Sequence, residues 1–441
     1  MPTVLTYVKV RFKIPCSTAA GRITLKVFVE TIGCKLNYFE SEALAQDLRS
    51  RSIALADCPE DADYVIVNTC SVTGRADSKS AQAMKKARKL GKKVVATGCY
   101  TTTDYEKLQD QGIADIVVKN EDKYSIPEIL GKIASGPGVP PAGGEFPIVR
   151  HFDRTRAFIK IQDGCAKSCA YCKIPAARGK SRSIGAMSAL DYVKALLEGG
   201  YKEIVLTGVN ISSFSSGEDS LYSLAKSIIE LPGDFRLRLS SLQPDEFDTR
   251  LIGLLDTGKL ASHFHLSLQS GSRGVLKRMG RSYSPEFYLG LVEKIRSKDP
   301  GCGLTTDIIA GFPEETDGEF EETLNIAEKA EFTRAHIFPY SPRPHTRAFL
   351  MKDLPDKIKK ERVSILEEKV YELSAGFARR VILGKKCSVL LENMENGKWT
   401  GYASNYIRIR TGIDGGHNVM ADIVPMKIIK NGQHLELEDE I

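Results

Sequence analysis

Between Leu25 and Ile133 the hydrophobic pattern repeats one theme three times. KVFVETIGC, DADYVIVNTC and GKKVVATGC are each a short apolar run that passes straight into a cysteine. The stretches between them, NYFESEALAQDLRS and GRADSKSAQAMKKARKL, read as helices long enough to cross over between parallel strands. Residues 25–134 are therefore expected to form a small α/β domain with a parallel sheet. Residues 135–150, which include SGPGVPPAGGEFP, are dense in Pro and Gly and lack periodicity, as a linker does.

Strand and helix alternation then resumes across residues 151–375. AFIKIQ, KEIVLTGV, FRLRLSSL, HFHLSLQ, GLTTDIIAGF and RAHIFPYS are separated by amphipathic stretches such as MSALDYVKALLEGG and PEFYLGLVEKIRS. Six strands with helical crossovers predict an open (β/α)6 barrel with its chemistry at the strands' C-terminal ends. A long charged helix from Pro355 to about Arg380 leads into residues 376–441, where short strands separated by Gly and Asn turns predict a small β-barrel-like module. The whole is thus an α/β chain of three folded parts.

Composition narrows this picture only a little. The 441 residues are 42% hydrophobic and 27% charged, and no apolar run reaches the roughly 18 residues of a membrane span. The first 24 residues break their apolar stretches with Lys9, Arg11 and Lys13, unlike a secretory leader, and read as a frayed extension or a mis-set start. A cytoplasmic location without membrane association is expected. The net charge of +6 is compatible with a polyanionic partner and does not diagnose one.

The ten cysteines change the picture more, because a reducing compartment turns them toward metal or redox chemistry. Cys165, Cys169 and Cys172 stand at C-x3-C-x2-C spacing in DGCAKSCAYCKIPAARG. Four-thiolate zinc would need a further ligand brought from a distance, whereas a 4Fe-4S cubane on three thiolates leaves one iron open to a substrate. Cys34, Cys70 and Cys99 each end a predicted strand, about one βα unit apart, so a parallel sheet would gather them at its C-terminal edge. They read as a second three-thiolate site. Cys16, Cys58, Cys302 and Cys387 have no partner at metal spacing.

The C-x3-C-x2-C motif resembles that of the radical S-adenosylmethionine superfamily. That resemblance implies a 4Fe-4S cluster on Cys165, Cys169 and Cys172 whose open iron chelates S-adenosylmethionine and cleaves it to a 5′-deoxyadenosyl radical. From about Lys26 to the C-terminus the chain resembles the methylthiotransferases, through TIGCKLNYFESE, VIVNTCSVT, ATGCY, IVLTGVN, LSLQSGS, TDIIAGFPEET and FPYSPRPHTRA. The family implies a second 4Fe-4S cluster on Cys34, Cys70 and Cys99 that carries the sulfur to be inserted, and an RNA-binding TRAM domain at residues 376–441.

GCKLN followed by Tyr38 and Glu40, with NTCSVT, looks most like the group acting on threonylcarbamoyladenosine of tRNA next to the anticodon. Relatives acting on isopentenyladenosine or on an aspartate of a ribosomal protein are the alternatives within the family. A zinc- or cluster-containing RNA-binding protein without turnover is the alternative outside it. The implied partners are tRNA, a reductant protein such as flavodoxin or ferredoxin, and a sulfur donor.

By the same resemblance Thr207, Gly208 and Asn210 would bind the amino-acid end of S-adenosylmethionine, and Gly311 and Glu314 would lie near its adenine. Gln269, with Ser270 and Arg281, would face the barrel mouth. Trp399, Tyr402, Tyr406, Arg408 and Arg410 suit base stacking and phosphate binding. His263 and His265 face one side of a strand and read as hydrogen-bonded barrel histidines. Ala166, Lys173 and His345 depart from the residues more usual in relatives, where many have Gly in place of His345.

Overall fold

A computed structural model describes residues 25–135, 146–432 and 434–440. The expected N-terminal extension, Cys16 and most of the expected linker lie outside the described residues.

The N-terminal domain is a parallel sheet whose strands lie in the order Ala54–Leu55, Lys26–Thr31, Tyr64–Thr69, Lys93–Gly98, Ile116–Val117. Alternation along these strands feeds two cores. Val27, Val29, Ile66 and Val95 pack on the face carrying helix Lys35–Ser50, while Phe28, Val65, Val67, Val94 and Ala96 face helix Gly74–Lys89. Each fully buried Val, Ile or Phe is worth roughly 1.5–3 kcal/mol, which explains the apolar run at the centre of each of the three long strands.

Six parallel strands then follow in sequential order: Ala157–Lys160, Glu203–Thr207, Arg236–Leu239 with its continuation Ser241–Leu242, His263–Leu266, Gly303–Ala310 and Arg334–Pro339. Among the described residues the first and last do not pair, so the barrel is open. Helix Lys35–Ser50 packs against the first barrel strand, and its Tyr38 and Phe39 join the core containing Phe152 and Phe158.

Helix Asp356–Val381 carries the chain without a break from the barrel to the C-terminal module. There, six strands form one sheet in the order Val419–Ile423, Cys387–Glu395, Lys398–Ala403, Arg408–Thr411, His434–Glu438, Lys427–Asn431. The expected barrel does not close, because the two edge strands share no ladder among the described residues. They are nevertheless joined by only Val424, Pro425 and Met426, a link of at most about 14 Å, so the sheet must roll until its edges nearly meet. No helix among the described residues is long and apolar enough to cross a membrane.

The module sits on the rim formed by the first residues of the barrel strands. Glu203, fully buried, receives Arg236 Nε at 2.6 Å and Arg238 Nε at 2.7 Å. The same two guanidinium groups donate to the module's backbone, at Tyr402 O (2.9 Å) and Ser404 O (3.0 Å). Gly303 has no side chain because a Cβ there would fall 2.0 Å from Asn405 O.

Burial opposes ionisation of Glu203, but Arg236 and Arg238 hold its pKa well below the carboxylate range. Its stabilising effect is complete above the unfolded value of about 4.3 and is lost as pH falls toward the folded one. Glu203→Gln leaves two buried arginines uncompensated and is expected to lower stability by about 3–5 kcal/mol at neutral pH. Urea unfolding checks this, and the wild type should approach the variant in stability as the medium is acidified.

Candidate active site

The two cysteine triads are positioned by short helices that begin beside them. Cys99 opens helix Cys99–Thr103, and Cys172 is followed at once by helix Ile174–Arg178; these two helices pack against each other. The radical-type triad, Cys165, Cys169 and Cys172, follows the first barrel strand, at the barrel's C-terminal end. Backbone N–H groups of Lys167 and Ile174 donate to the sulfurs of Cys165 and Cys172, each at 3.4 Å. Burial pushes the Cys172 thiol up to about 12, with Cys169 and Cys165 close enough to add to the shift. Three free thiols on one loop with amide donors aimed at sulfur fit a thiolate-held cluster, whose binding would release the protons.

The strand ends bring Cys34, Cys70 and Cys99 together as well. Burial raises the Cys70 thiol, and the neighbouring Cys34 and Cys99 raise it further. Gly33, at φ +119°, stands where a Cβ would lie 2.7 Å from Cys70 Cβ and 2.9 Å from its sulfur. Arg178 Nε donates to Cys99 Sγ at 3.2 Å, so this triad also fits a thiolate-held cluster.

Arg178 links the two triads. Beyond Cys99 it donates to Glu40 Oε1 (2.8 Å), Asp163 Oδ1 (3.0 Å) and Asn37 Oδ1 (2.8 Å), all buried. Lys160 bridges Glu40 at 2.9 Å and Asp163 at 2.6 Å, and Lys123 completes the set on Glu40. Burial opposes ionisation of both carboxylates. Arg178, Lys123 and Lys160 nevertheless hold Glu40 well below its usual range, while Lys160 and Arg178 hold Asp163 down to about 2. Lys173, one of the departures, pairs with Asp104 of the N-terminal domain at 3.2 Å and adds a further tie. None of these partners is visible from sequence spacing; the RG of DGCAKSCAYCKIPAARG was the one signal for Arg178.

A cavity of about 1220 Å³ runs from the upper end of the barrel to the C-terminal module. Cys34 and Cys70 line it, with Thr207 and Gly208 at the end of the second barrel strand. Cys165, Cys169, Cys172 and Cys99 are not among its walls. Asn210 donates to Glu246 (2.7 Å), which also pairs with Lys167 of the radical-type loop (3.0 Å). Arg281 reaches Tyr171 of the same loop at 2.8 Å.

Gln269, at φ +67°, is held between Asp307 O and the Ile309 N–H at the end of the fifth strand. Gly311 and Glu314 lie in the loop just beyond and are not on the cavity wall; the Gly311 N–H is fixed by Glu315 Oε2 at 2.8 Å. Ser270 is fully buried beside Thr323. His345 takes φ +67°, the left-handed form that glycine favours, at a cost of roughly 1–2 kcal/mol.

The aromatics read as suited to base stacking divide between the cavity and the module's own core. Tyr402 and Tyr406 stack at 4.8 Å and line the barrel cavity, and Tyr406 also stacks on His263 at 4.7 Å. Trp399 packs with the module's core, and Arg408 is engaged by Glu436 and Glu395. Both His263 and His265 bond Thr305, at 2.8 and 2.9 Å, and His265 also reaches Asp307 at 3.1 Å.

An open barrel of six parallel strands with a three-thiolate loop after its first strand defines a radical S-adenosylmethionine enzyme. Residues 159–327 match the family described as the radical SAM superfamily, and residues 26–119 match the uncharacterized protein family UPF0004. The chain is 39% identical to a threonylcarbamoyladenosine tRNA methylthiotransferase of Thermotoga maritima over 87% of its length and 90% of that protein. It is 37% identical to its namesake in Aquifex aeolicus, covering 86% and 97%, and 32% identical to a tRNA-2-methylthio-N(6)-dimethylallyladenosine synthase of Solibacter usitatus, covering 93% and 97%. Within the superfamily, the chain belongs to the methylthiotransferase family. Among solved structures it shares the fold of the radical S-adenosylmethionine methyltransferase TsrM of Kitasatospora setae, with TM-score 0.56 and 15% identity over 74% of this chain and 77% of that one.

Proposed function

We propose that this chain inserts a methylthio group at the ring carbon between the two pyrimidine-ring nitrogens of threonylcarbamoyladenosine, next to the anticodon of tRNA. The observation that carries the reading is the shared cavity: sulfur-side Cys34 and Cys70 open into the same space as Thr207 and Gly208. Four-iron clusters on the two triads and S-adenosylmethionine supply, when bound, the radical that breaks an unreactive C–H bond and the sulfur and methyl that replace its hydrogen.

The protein's own part is positional. Gly208 permits close approach at the strand end, where a Cβ would meet Gln162 O at 2.7 Å. Asn210, Glu246 and Lys167 tie that strand end to the radical-type loop. Arg178 and Glu40 fix the spacing of the two triads, which geometry-dependent transfer requires. Both clusters need electrons and the sulfur must be replenished, so a small reductant protein and a sulfur donor act with the chain, in the cytoplasm where tRNA is modified. The names of relatives at 34–39% identity favour threonylcarbamoyladenosine over isopentenyladenosine.

The test is mass spectrometry of tRNA nucleosides from a strain lacking its own enzyme, with and without this chain. Appearance of 2-methylthio-threonylcarbamoyladenosine supports the reading. Appearance of only the isopentenyl product, or of neither, overturns it.

A further inference from the structure

The lower end of the cavity is strongly cationic. Nine lysines and arginines line the cavity as a whole against four carboxylates. Three of those four are already engaged: Glu392 by Arg156, Asp307 by His265 and Asp356 by Lys359. Lys35, next in sequence to Cys34, has no carboxylate partner among the described residues, and its Nζ stands 5.7 Å from the Tyr406 ring centre. Arg156 presents its Nε edge to Glu392 and its Nη1 to the Tyr406 hydroxyl, at 3.4 Å. Burial would raise the Tyr406 phenol, yet Lys35 and Arg156 draw it down to about 6. A positive field strong enough to favour phenolate also favours a ligand carboxylate, and with that anion on the two cations the phenol keeps its proton and can donate to it.

Tyr406 is also held in a costly backbone form, at φ +66°, between the Tyr402 and His263 rings. Such an outlier persists only where its surroundings fix it, and here it fixes a hydroxyl among the cations.

Resting on the substrate reading above, we propose that Lys35, Arg156 and the Tyr406 hydroxyl seat the carboxylate of the threonylcarbamoyl group. The isopentenyl group is neutral and apolar and would leave the Lys35 ammonium without an anion, so the same seat selects against it. Lys35 then has a double placement: its backbone continues from the sulfur-side Cys34, and its ammonium holds the far end of the modified base.

The test uses reconstituted enzyme and three anticodon stem-loops, carrying threonylcarbamoyladenosine, its methyl ester, or plain adenosine. Affinity is read for all three by fluorescence anisotropy, and KM for the first two from methylthiolated product. For wild-type enzyme the ester is expected to bind more weakly than the acid by roughly 10- to 100-fold. Lys35→Met should weaken binding and raise KM for the acid by a similar factor, with the ester and plain adenosine unchanged. Lys35→Arg should restore most of the loss.

Equal weakening on all three RNAs would mean that Lys35 meets a backbone phosphate, and would overturn the proposal. So would a Lys35→Met protein of full iron content that treats the acid as wild type does. Failure of the wild type to modify any threonylcarbamoyladenosine RNA counts instead against the substrate reading. In that event the anisotropy still decides whether a carboxylate is recognised.

Discussion

A Cys169→Ala protein is expected to form no detectable 5′-deoxyadenosine and no methylthio product, a loss of at least about a thousandfold, since acid–base groups offer no route through an aromatic C–H bond. The reason lies in the ligand arithmetic of the first triad. With three thiolates one iron is open for S-adenosylmethionine; with two, the cluster loses the anchor that decides which iron is open. Cys169 lies between Cys165 and Cys172 on one loop, and the backbone N–H bonds at those two neighbours cannot replace a ligand. Iron content should fall, with any iron held by Cys34, Cys70 and Cys99 retained. Deoxyadenosine formation at wild-type rate would remove this triad from the chemistry. Cys58→Ser serves as the control, because Cys58 lies outside both triads, with its thiol against Asp61.

The second large effect separates the two triads. Cys70→Ala should abolish sulfur insertion while leaving deoxyadenosine formation within about tenfold of wild type. Cys70 is buried beneath Gly33, on the cavity wall beside Cys34, and among the described residues makes no hydrogen bond to the pairs that brace the far side of the radical-type loop. Those braces are Lys167 with Asp245 and Glu246, and Arg281 with Tyr171. The measurement is a single anaerobic reaction in which deoxyadenosine and methylthiolated nucleoside are quantified together. Full methylthiolation by Cys70→Ala would show that the division of labour is wrong, and equal loss of both products would show that the triads act as one unit.

The sequence made the six cysteines and the barrel strands legible because both depend on local order. Three strands of the N-terminal sheet lead to a cysteine, Cys70 and Cys99 in the same register and Cys34 three residues past its strand, so a parallel sheet gathers them whatever the rest of the chain does. Glu40, Asp163, Lys160 and Arg178 were not legible as a cluster, because Glu40 lies 120 to 138 residues from the other three and buried charge carries no periodic signal. Tyr402 and Tyr406 read as a base-stacking pair on the module's strands, and their place on the cavity wall was not legible. What redirects them is a docking surface on another domain, held mainly through backbone carbonyls, to which side-chain pattern is blind. The unclosed seam of the C-terminal sheet was hidden for a similar reason: strand count and turn spacing predict how many strands there are, not whether the last edge meets the first.

The seating of that module on the barrel rim bears on how a site along an RNA is chosen. A domain on a flexible tether meets its neighbour at an effective concentration of order millimolar, averaged over orientations. Arg236, Arg238 and the close approach of Asn405 to Gly303 remove that averaging. An RNA gripped by the module would arrive at the cavity in one pose, and the count of nucleotides between grip and cavity would decide which base enters. The rim contact would then work as a gauge of length.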